Sequence, residues 1–323
     1  MNNYIDAKFT DLNAAAADYL GNGAIFVPEF QPEIVDIVRR GGVLGRRLNN
    51  VRATGHPTRY FEQTAIGTAN FTDPRTISTT LTGPTRAEKS AMLKAVTAGI
   101  DFGLFDVEVT AQQSEFAYLV AKDLKDMVNG LNVLHDKKLW NGNDTSLTTP
   151  TTVEYMGLLS QITSTSAVAK GASVVDAIRR QIATMVANET YDIKPSAIYM
   201  NPVLLDELEK EVKNAPNTFK NVLADLYEVV PGVQVRQMIT AAGLLPVIPE
   251  PYLLSTTSGA DTLYPVGILT ENLIEYHYVT APEPRVFILG KVSDLATKYR
   301  AVKFGAPIAK GASYAHNIMT VTR

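Results

Sequence analysis

The chain has 323 residues, 46% apolar and 20% charged, with a formal net charge of -3 and no cysteine. That is enough apolar chain for roughly two domains with buried cores, and too little charge for a disordered polymer. Without cysteine there is no disulfide framework, thiolate zinc site, iron–sulfur cluster or cysteine nucleophile, and the slight acidity argues against a dedicated nucleic-acid reader, which is normally clearly basic.

Residues 1 to about 50 read as an extended or partly helical arm, with a short helix over 32–40 stopped by Gly41-Gly42. The first twenty residues carry Asp6, Asp11 and Asp18 in place of a basic and then apolar leader, and no apolar run reaches the ~20 residues of a bilayer span. The N-x-S/T triplets at Asn70, Asn143 and Asn188 are therefore read as chance. From Val51 to about Lys89 the composition shifts to Thr, Gly, Pro and Arg, with β-prone stretches at 58–66 and 76–81. This reads as a long hairpin with almost no apolar face of its own. Two strands alone are marginal in water, so the hairpin is expected to lie on a partner. Tyr60, Phe61 and Phe71 are expected at contacts between subunits, because aromatic rings on an element without its own core suit interface cores. Arg46, Arg47, Arg52, Arg59 and Arg75, with Glu62 and Asp73, are candidates for ion pairs between copies; each exposed pair is worth only ~0–1 kcal/mol.

The stretch 91–109 alternates as a strand, and Thr110 is placed as the N-cap of the helix after it. Over 112–140 the residues Phe116, Val120, Leu124, Met127, Val128, Leu131 and Leu134 form one apolar stripe, predicting a helix about 40 Å long at 1.5 Å per residue. Trp140 closes it as a packing anchor, and Asn141-Gly142-Asn143-Asp144 turns the chain into a Thr/Ser-rich linker running to about Gly171. A second unit opens with an amphipathic helix over 173–188 on Val174, Ile178, Ile182 and Met185. An apolar strand at 197–200 leads into Asn201-Pro202, an N-cap with proline at the first helical position, and a helix over 203–213. Strands are predicted at 244–248, 264–269, 272–279, 285–289, 296–304 and 314–321. Charge is segregated along this order. Arg285 to Arg323 holds seven basic residues and one acid, Asp294, a balance of +6 that leaves -9 on residues 1–284. A second basic stretch, Arg39 to Arg59, contains no acid. Such runs are read as solvated faces, or as surfaces for acidic patches on another copy or for nucleic acid.

Catalytic signatures are missing. There is no phosphate-binding loop, dinucleotide fingerprint, nucleophile elbow or H-E-x-x-H helix. His56, His135, His277 and His316 fall on separate predicted elements, and His135 and Asp136, adjacent on a helix, do not face each other. Glu275 and His277 share one face of a strand, a pair of potential metal ligands with no third; an exposed polar face or a subunit contact is the better reading. Asp101-Phe102-Gly103 and Ala281-Pro282-Glu283 match kinase triplets by coincidence, the remaining kinase motifs being absent. No cofactor is expected.

The order of parts is itself informative. An arm, a long Thr/Pro-rich hairpin, a long helix closing on Leu139-Trp140-Asn141-Gly142-Asn143, a central α/β unit with Ala197-Ile198-Tyr199-Met200-Asn201-Pro202 and a β-rich tail succeed one another. In this the chain resembles the major capsid proteins of tailed bacteriophages, whose fold is named after phage Hong Kong 97 (HK97). The resemblance covers nearly the whole chain and rests on architecture, with no strict motif. It implies an α+β, HK97-like capsid fold with an N-arm (1–50), an extended loop reaching over a neighbouring subunit (51–89), a peripheral domain with the long helix as spine (90–171), an axial domain lining five- and six-fold centres (172–300), and final strands returning to the peripheral domain (301–323).

The same resemblance implies a non-enzymatic subunit that assembles with itself, as pentamers and hexamers, into an icosahedral head shell. The shell would enclose double-stranded DNA, held non-specifically, with scaffolding, portal and decoration proteins as further partners and no membrane. The subunit would assemble in the host cytoplasm and reside in the virion. The Lys and Asn that cross-link some members cannot be placed here. Because Met1 already begins what reads as the arm, a separate scaffolding protein is expected. Two other readings stay open: the shell of an encapsulin nanocompartment, built from a similar subunit, and a cytosolic α/β enzyme with an unrecognised site.

Overall fold

The structure, a computed structural model, describes residues 42–69, 71, 75, 82–103, 116–214, 223–230, 233–292 and 296–323, all within one unit spanning Arg40–Arg323. The expected helix at 32–40, the β-prone stretch at 76–81 and the cap at Thr110 lie outside the described residues.

Strands follow the alternation in the sequence, with shifted ends. After a short helix, Leu44–Arg47, come β1 (Asn49–Arg52) and the hairpin strands β2 (Thr58–Ala65) and β3 (Thr85–Ala91). Next come β4 (Lys94–Gly103), the long helix Phe116–Asn141, a turn of helix at Leu158–Gln161, and β5 (Thr165–Val168). The helix Val174–Val186 begins on Ser173, whose Oγ accepts from the Asp176 N–H. β6 (Ala197–Met200) leads into the helix Pro202–Asn214, capped as expected by Asn201 Oδ1 accepting from Val203 N–H at 2.9 Å. The remainder is β-rich: β7 (Leu223–Val230), β8 (Val233–Thr240), β9 (Gly243–Pro249), β10 (Thr256–Ser258), β11 (Asp261–Leu269), β12 (Ile274–Tyr278), β13 (Arg285–Val292), β14 (Ala296–Ala309) and β15 (Asn317–Thr322).

Two main sheets form. In the first, β1, β12, β14 and β13 are successive neighbours and β4 also pairs with β14. Residues 296–302 of β14 pair with both β13 and β4, so those two strands flank it on opposite edges. The second sheet runs β5-β15-β11-β6-β9-β8-β7, with β10 on β11. β12 and β13, within the span 172–300, belong to the first sheet, and β15 lies in the second beside β5, a strand of the span 90–171. Alternation tells which residues are buried, but not against which sheet.

The second sheet is buried on both faces at its centre, which is why 197–200 reads as an unbroken apolar run. Ile198 and Met200 point into a core with Val174, Ile178, Ile182, Leu204 and Leu208 of the two shorter helices. Ala197 and Tyr199 point the other way, into a core shared by Leu139, Trp140, Leu44, Tyr155, Leu158 and Tyr276. Trp140 is the anchor expected: it is fully buried, its ring centroid lies 5.5 Å from that of Tyr199, and it closes over Gly267, where a Cβ would come within 3.0 Å of the indole. The long helix lays Leu124, Met127, Val128 and Leu131 on β4 and β14, while Leu134 falls off this stripe and is exposed.

The expected linker after the helix is an ordered loop. Asp144, buried, takes Lys94 Nζ at 2.8 Å, the N–H groups of Thr145 and Thr151 at 2.8 and 3.0 Å, and Thr151 Oγ1 at 3.2 Å, which together hold its carboxyl well below the usual range against the cost of burial. Gly142 is needed there: a Cβ on it would lie 2.3 Å from the Tyr155 carbonyl oxygen, and one on Gly157 would lie 2.3 Å from the Trp140 carbonyl oxygen. Because those neighbours are backbone and cannot swing away, Gly157→Ala is expected to lower the unfolding free energy by about 1–3 kcal/mol. Denaturant unfolding checks this, and a variant as stable as its parent would contradict the packing described.

Candidate assembly surface

β2 divides the hairpin by its own two-residue period. Thr58, Tyr60 and Glu62 are buried, while Arg59, Phe61 and Gln63 are exposed. Each inward residue has a different anchor. Thr58 Oγ1 lies 2.9 Å from His277 Nδ1, and His277 Nε2 lies 2.9 Å from Glu275 Oε2. A carboxylate only accepts, so Nε2 is the donor to Glu275. Tyr60 packs with Ala91, Ile308 and Leu147, and burial pushes its phenol up to about 12. Glu62 accepts from Gly311 N–H at 3.0 Å and pairs with Lys89 at 2.5 Å. Further along, the Thr64 carbonyl accepts from the Tyr191 hydroxyl at 3.0 Å, and Tyr191 stacks on Tyr314 with centroids 3.9 Å apart.

The base of the hairpin therefore lies on its own subunit. Tyr60 and Glu62, expected at contacts between copies, are used inside the chain, because alternation turns them toward the body. The outward residues are different: Phe61 and Ile66 are each more than two-thirds exposed, and Phe71 is fully so. Arg46, Arg52 and Arg75 are exposed, Arg59 reaches Glu88 across the hairpin at 3.1 Å, and Asp73 lies outside the described residues.

Arg47 belongs to a second anchor, on the segment Gly42–Arg47 with which the described residues begin. Its Nε and Nη2 donate to the two carboxylate oxygens of Glu271 at 2.6 and 2.5 Å, an internal bidentate pair that holds the guanidinium above its ordinary pKa. Glu271 also accepts from the Tyr199 hydroxyl and from Ser196 Oγ. Glu250, fully buried, accepts the N–H groups of Val43 at 3.0 Å, Leu44 at 3.1 Å and Tyr252 at 3.4 Å. Asp136 of the long helix accepts from Gly42 N–H at 2.8 Å. A Cβ on Gly42 would lie 3.0 Å from Asp136 Cβ, and one on Gly45 would lie 2.4 Å from Asp136 Oδ1, so the Asp136 side chain packs closely on both glycines. Three carboxylates thus grip Gly42 to Arg47. Of the three, only Asp136 is noted in the sequence, as the neighbour of His135; the glycine spacing is the local trace of the grip.

The polar pair Glu275 and His277 does share a face, but it is not an exposed one. Lys310 Nζ sits 2.6 Å from Glu275 Oε1, placing a cation where a metal would have to bind, and among the described residues no three potential ligands converge. Against the desolvation that raises it, Lys310 and His277 hold the Glu275 carboxyl below its ordinary value. His135 is neutral at ordinary pH, because burial lowers it well below the usual imidazole value; its Nδ1 lies 3.3 Å from the Tyr155 hydroxyl.

No family model and no curated protein matches the sequence. Solved structures do. The capsid of a native GTA particle superposes with a TM-score of 0.60 at 12% identity, covering 95% of this chain and 98% of that one. The capsid of Myoviridae phage XM1 gives 0.60 at 12% identity, covering 93% and 100%. The chain has the Hong Kong 97 capsid fold. The same fold is seen in the holo-SrpI encapsulin complex of Synechococcus elongatus PCC 7942, with a TM-score of 0.56 at 14% identity over 95% of this chain and 94% of that one.

The grip on Gly42–Arg47 carries a pH signature. Burial pushes the Asp136 carboxyl up to about 6, with the Gly42 N–H, Lys303 and Arg46 pulling the other way, and burial raises Glu250 with Asp136 adding to it. A raised acid is protonated more readily in the folded chain than in the unfolded one. Its stabilising share is complete below the ordinary aspartate value and is lost as pH rises through about 6. Asp136→Asn removes that loss. The unfolding free energy of the variant minus that of the parent should therefore move in the variant's favour by about 2 kcal/mol between pH 4 and 7.5, allowing for partial solvent access. A difference that stays constant with pH would contradict this.

Proposed function

We propose that this chain is the major capsid protein of a tailed phage, a non-enzymatic subunit that builds an icosahedral head shell from pentamers and hexamers of itself. The observation that carries the reading is the split within the hairpin. Its base is held by four side-chain anchors on its own body, yet beyond Thr64 it presents Ile66 and Phe71 to solvent. Monomeric proteins seldom hold large apolar side chains out on an extended element that their own core does not cover. A second copy supplies the missing surface, and repetition around a closed shell lets contacts that are individually weak hold together.

Phe61, Phe71, Arg46, Arg52, Arg59 and Arg75 remain the candidates for contact between copies, with the extended loop lying over a neighbour. Packaged double-stranded DNA, scaffolding, portal and decoration proteins are the partners this role calls for, and the virion is the location. The encapsulin superposition keeps one second reading in view, in which the same shell encloses protein cargo. Negative-stain microscopy of the purified chain tests the shell itself, and the copurifying cargo, DNA or enzyme, separates the two. Size-exclusion chromatography showing only a small oligomer at all concentrations would overturn both and return the enzyme reading.

Shortening the hairpin by deleting 66–83, so that Ala65 and Pro84 are joined by a short turn, leaves every anchor of its base in place. The deletion is expected to give a folded monomer or capsomer that does not close into particles. Normal particles from this variant, seen by electron microscopy, would contradict the role assigned to the tip.

A further inference from the structure

Among the described residues, packed ring pairs cross at 58° to 83°, the tilted and edge-on arrangements that aromatic quadrupoles favour, with one exception. Tyr191 and Tyr314 lie face to face, with 3.9 Å between centroids and 8° between planes. Backbone on both sides holds the stack. Tyr191 donates its hydroxyl to the Thr64 carbonyl at 3.0 Å, and its N–H to Asn188 Oδ1 at 3.1 Å. Tyr314 closes a turn on Gly311, its N–H donating to the Gly311 carbonyl at 3.0 Å. Gly311 has a φ of +66°, and a Cβ on it would lie 2.9 Å from Tyr314 Cζ, so glycine here leaves room for the ring. Both rings are partly buried against the core of the second sheet, which leaves them open to a small oxidant.

We infer that Tyr191 and Tyr314 are a dityrosine site, at which a one-electron oxidant of the peroxide class joins the two rings and staples the turn before β15 to the loop after the helix Val174–Val186. Each phenol gives up one electron and its hydroxyl proton, leaving a phenoxyl radical whose unpaired electron is shared with the carbons ortho to oxygen. The radicals couple there by a carbon–carbon bond, and the two ortho hydrogens restore the hydroxyls. The peroxide takes up both electrons and both protons and leaves as two molecules of water. Face contact replaces diffusion between the radicals. The chain has no thiol to intercept the oxidant, and its single indole, Trp140, is fully buried. Glu62, held by Gly311 N–H at 3.0 Å, puts a negative charge near Tyr314, which eases the loss of an electron. Tyr155 and Tyr276 supply the contrast: their hydroxyls are 3.2 Å apart, but the rings are buried and stand at 82° with centroids 6.4 Å apart. The site belongs to one chain and does not depend on the shell reading.

Light-driven oxidation of the dilute full chain with tris(bipyridyl)ruthenium and persulfate tests it, the persulfate taking the two electrons and leaving as two sulfates. The product should lack two hydrogens in its intact mass, and digestion should release joined peptides carrying residues 191 and 314. In a mixture of light and nitrogen-15-labelled chains, each joined peptide should be wholly light or wholly heavy. Tyr191→Phe and Tyr314→Phe keep a ring in the stack, so each should melt close to the parent while the joined product falls at least about tenfold. The stapled chain should melt at least about 5 °C above Tyr191→Phe oxidised in the same way, because the new bond restricts the unfolded chain. Joined peptides of mixed isotope, a Tyr155–Tyr276 product in equal yield, an unchanged melting midpoint, or no joined 191–314 peptide under conditions that couple free tyrosine would each overturn the inference.

Discussion

Three carboxylates converging on six residues tie this subunit together. Asp136 comes from the long helix, Glu250 from the end of β9 and Glu271 from the turn before β12, and all three hold the segment Gly42–Arg47. A buried carboxylate without donors costs several kcal/mol, so Glu250 requires the N–H groups of Val43 and Leu44 as much as they require it. The apolar side chains of the same segment, Val43 and Leu44, enter the core built on Trp140 and Tyr199. Long helix, both sheets and this segment are therefore fixed at one place, and displacing any of them strands a charge or opens the core.

The hairpin solves a related problem by a different route. A two-stranded ribbon cannot stabilise itself in water, and here the base is secured by the inward half of β2, through a hydroxyl–imidazole contact, a packed phenol and a carboxylate on a backbone N–H. The outward half and the tip are left over. Stability of the isolated subunit and coverage of its exposed apolar residues then become separate matters, the first met within the chain and the second, in the shell proposed, between chains.

What could be read from the sequence was whatever depends on neighbours in the chain. Ser173 and Asn201 cap helices because their side chains meet N–H groups two or three residues on. The long helix and the strands from 244 onward come from period alone. Pro231-Gly232 between two β-prone runs is the sequence trace of the β7–β8 pair, which the strands predicted after 213 did not include. The distant pairings left no such trace. Nothing local tells that Glu62 meets Gly311, that Arg47 meets Glu271, or that β15 joins the sheet of β5, because each is set by tertiary packing across a long separation in the chain. Tyr60 and Phe61 illustrate the limit: adjacent aromatic residues of similar character have opposite fates, set by one step of strand period.

In the shell proposed, the hairpin tip is covered by other copies, whereas the segment Gly42–Arg47 is held within one subunit. Hydrogen–deuterium exchange on unassembled subunits and on assembled particles measures this directly. Protection over 61–71 should rise on assembly, while protection over 42–48 and 197–200 should already be high in the free subunit and not change. Equal exchange at 61–71 in both states, or a segment 42–48 protected only in particles, would contradict it.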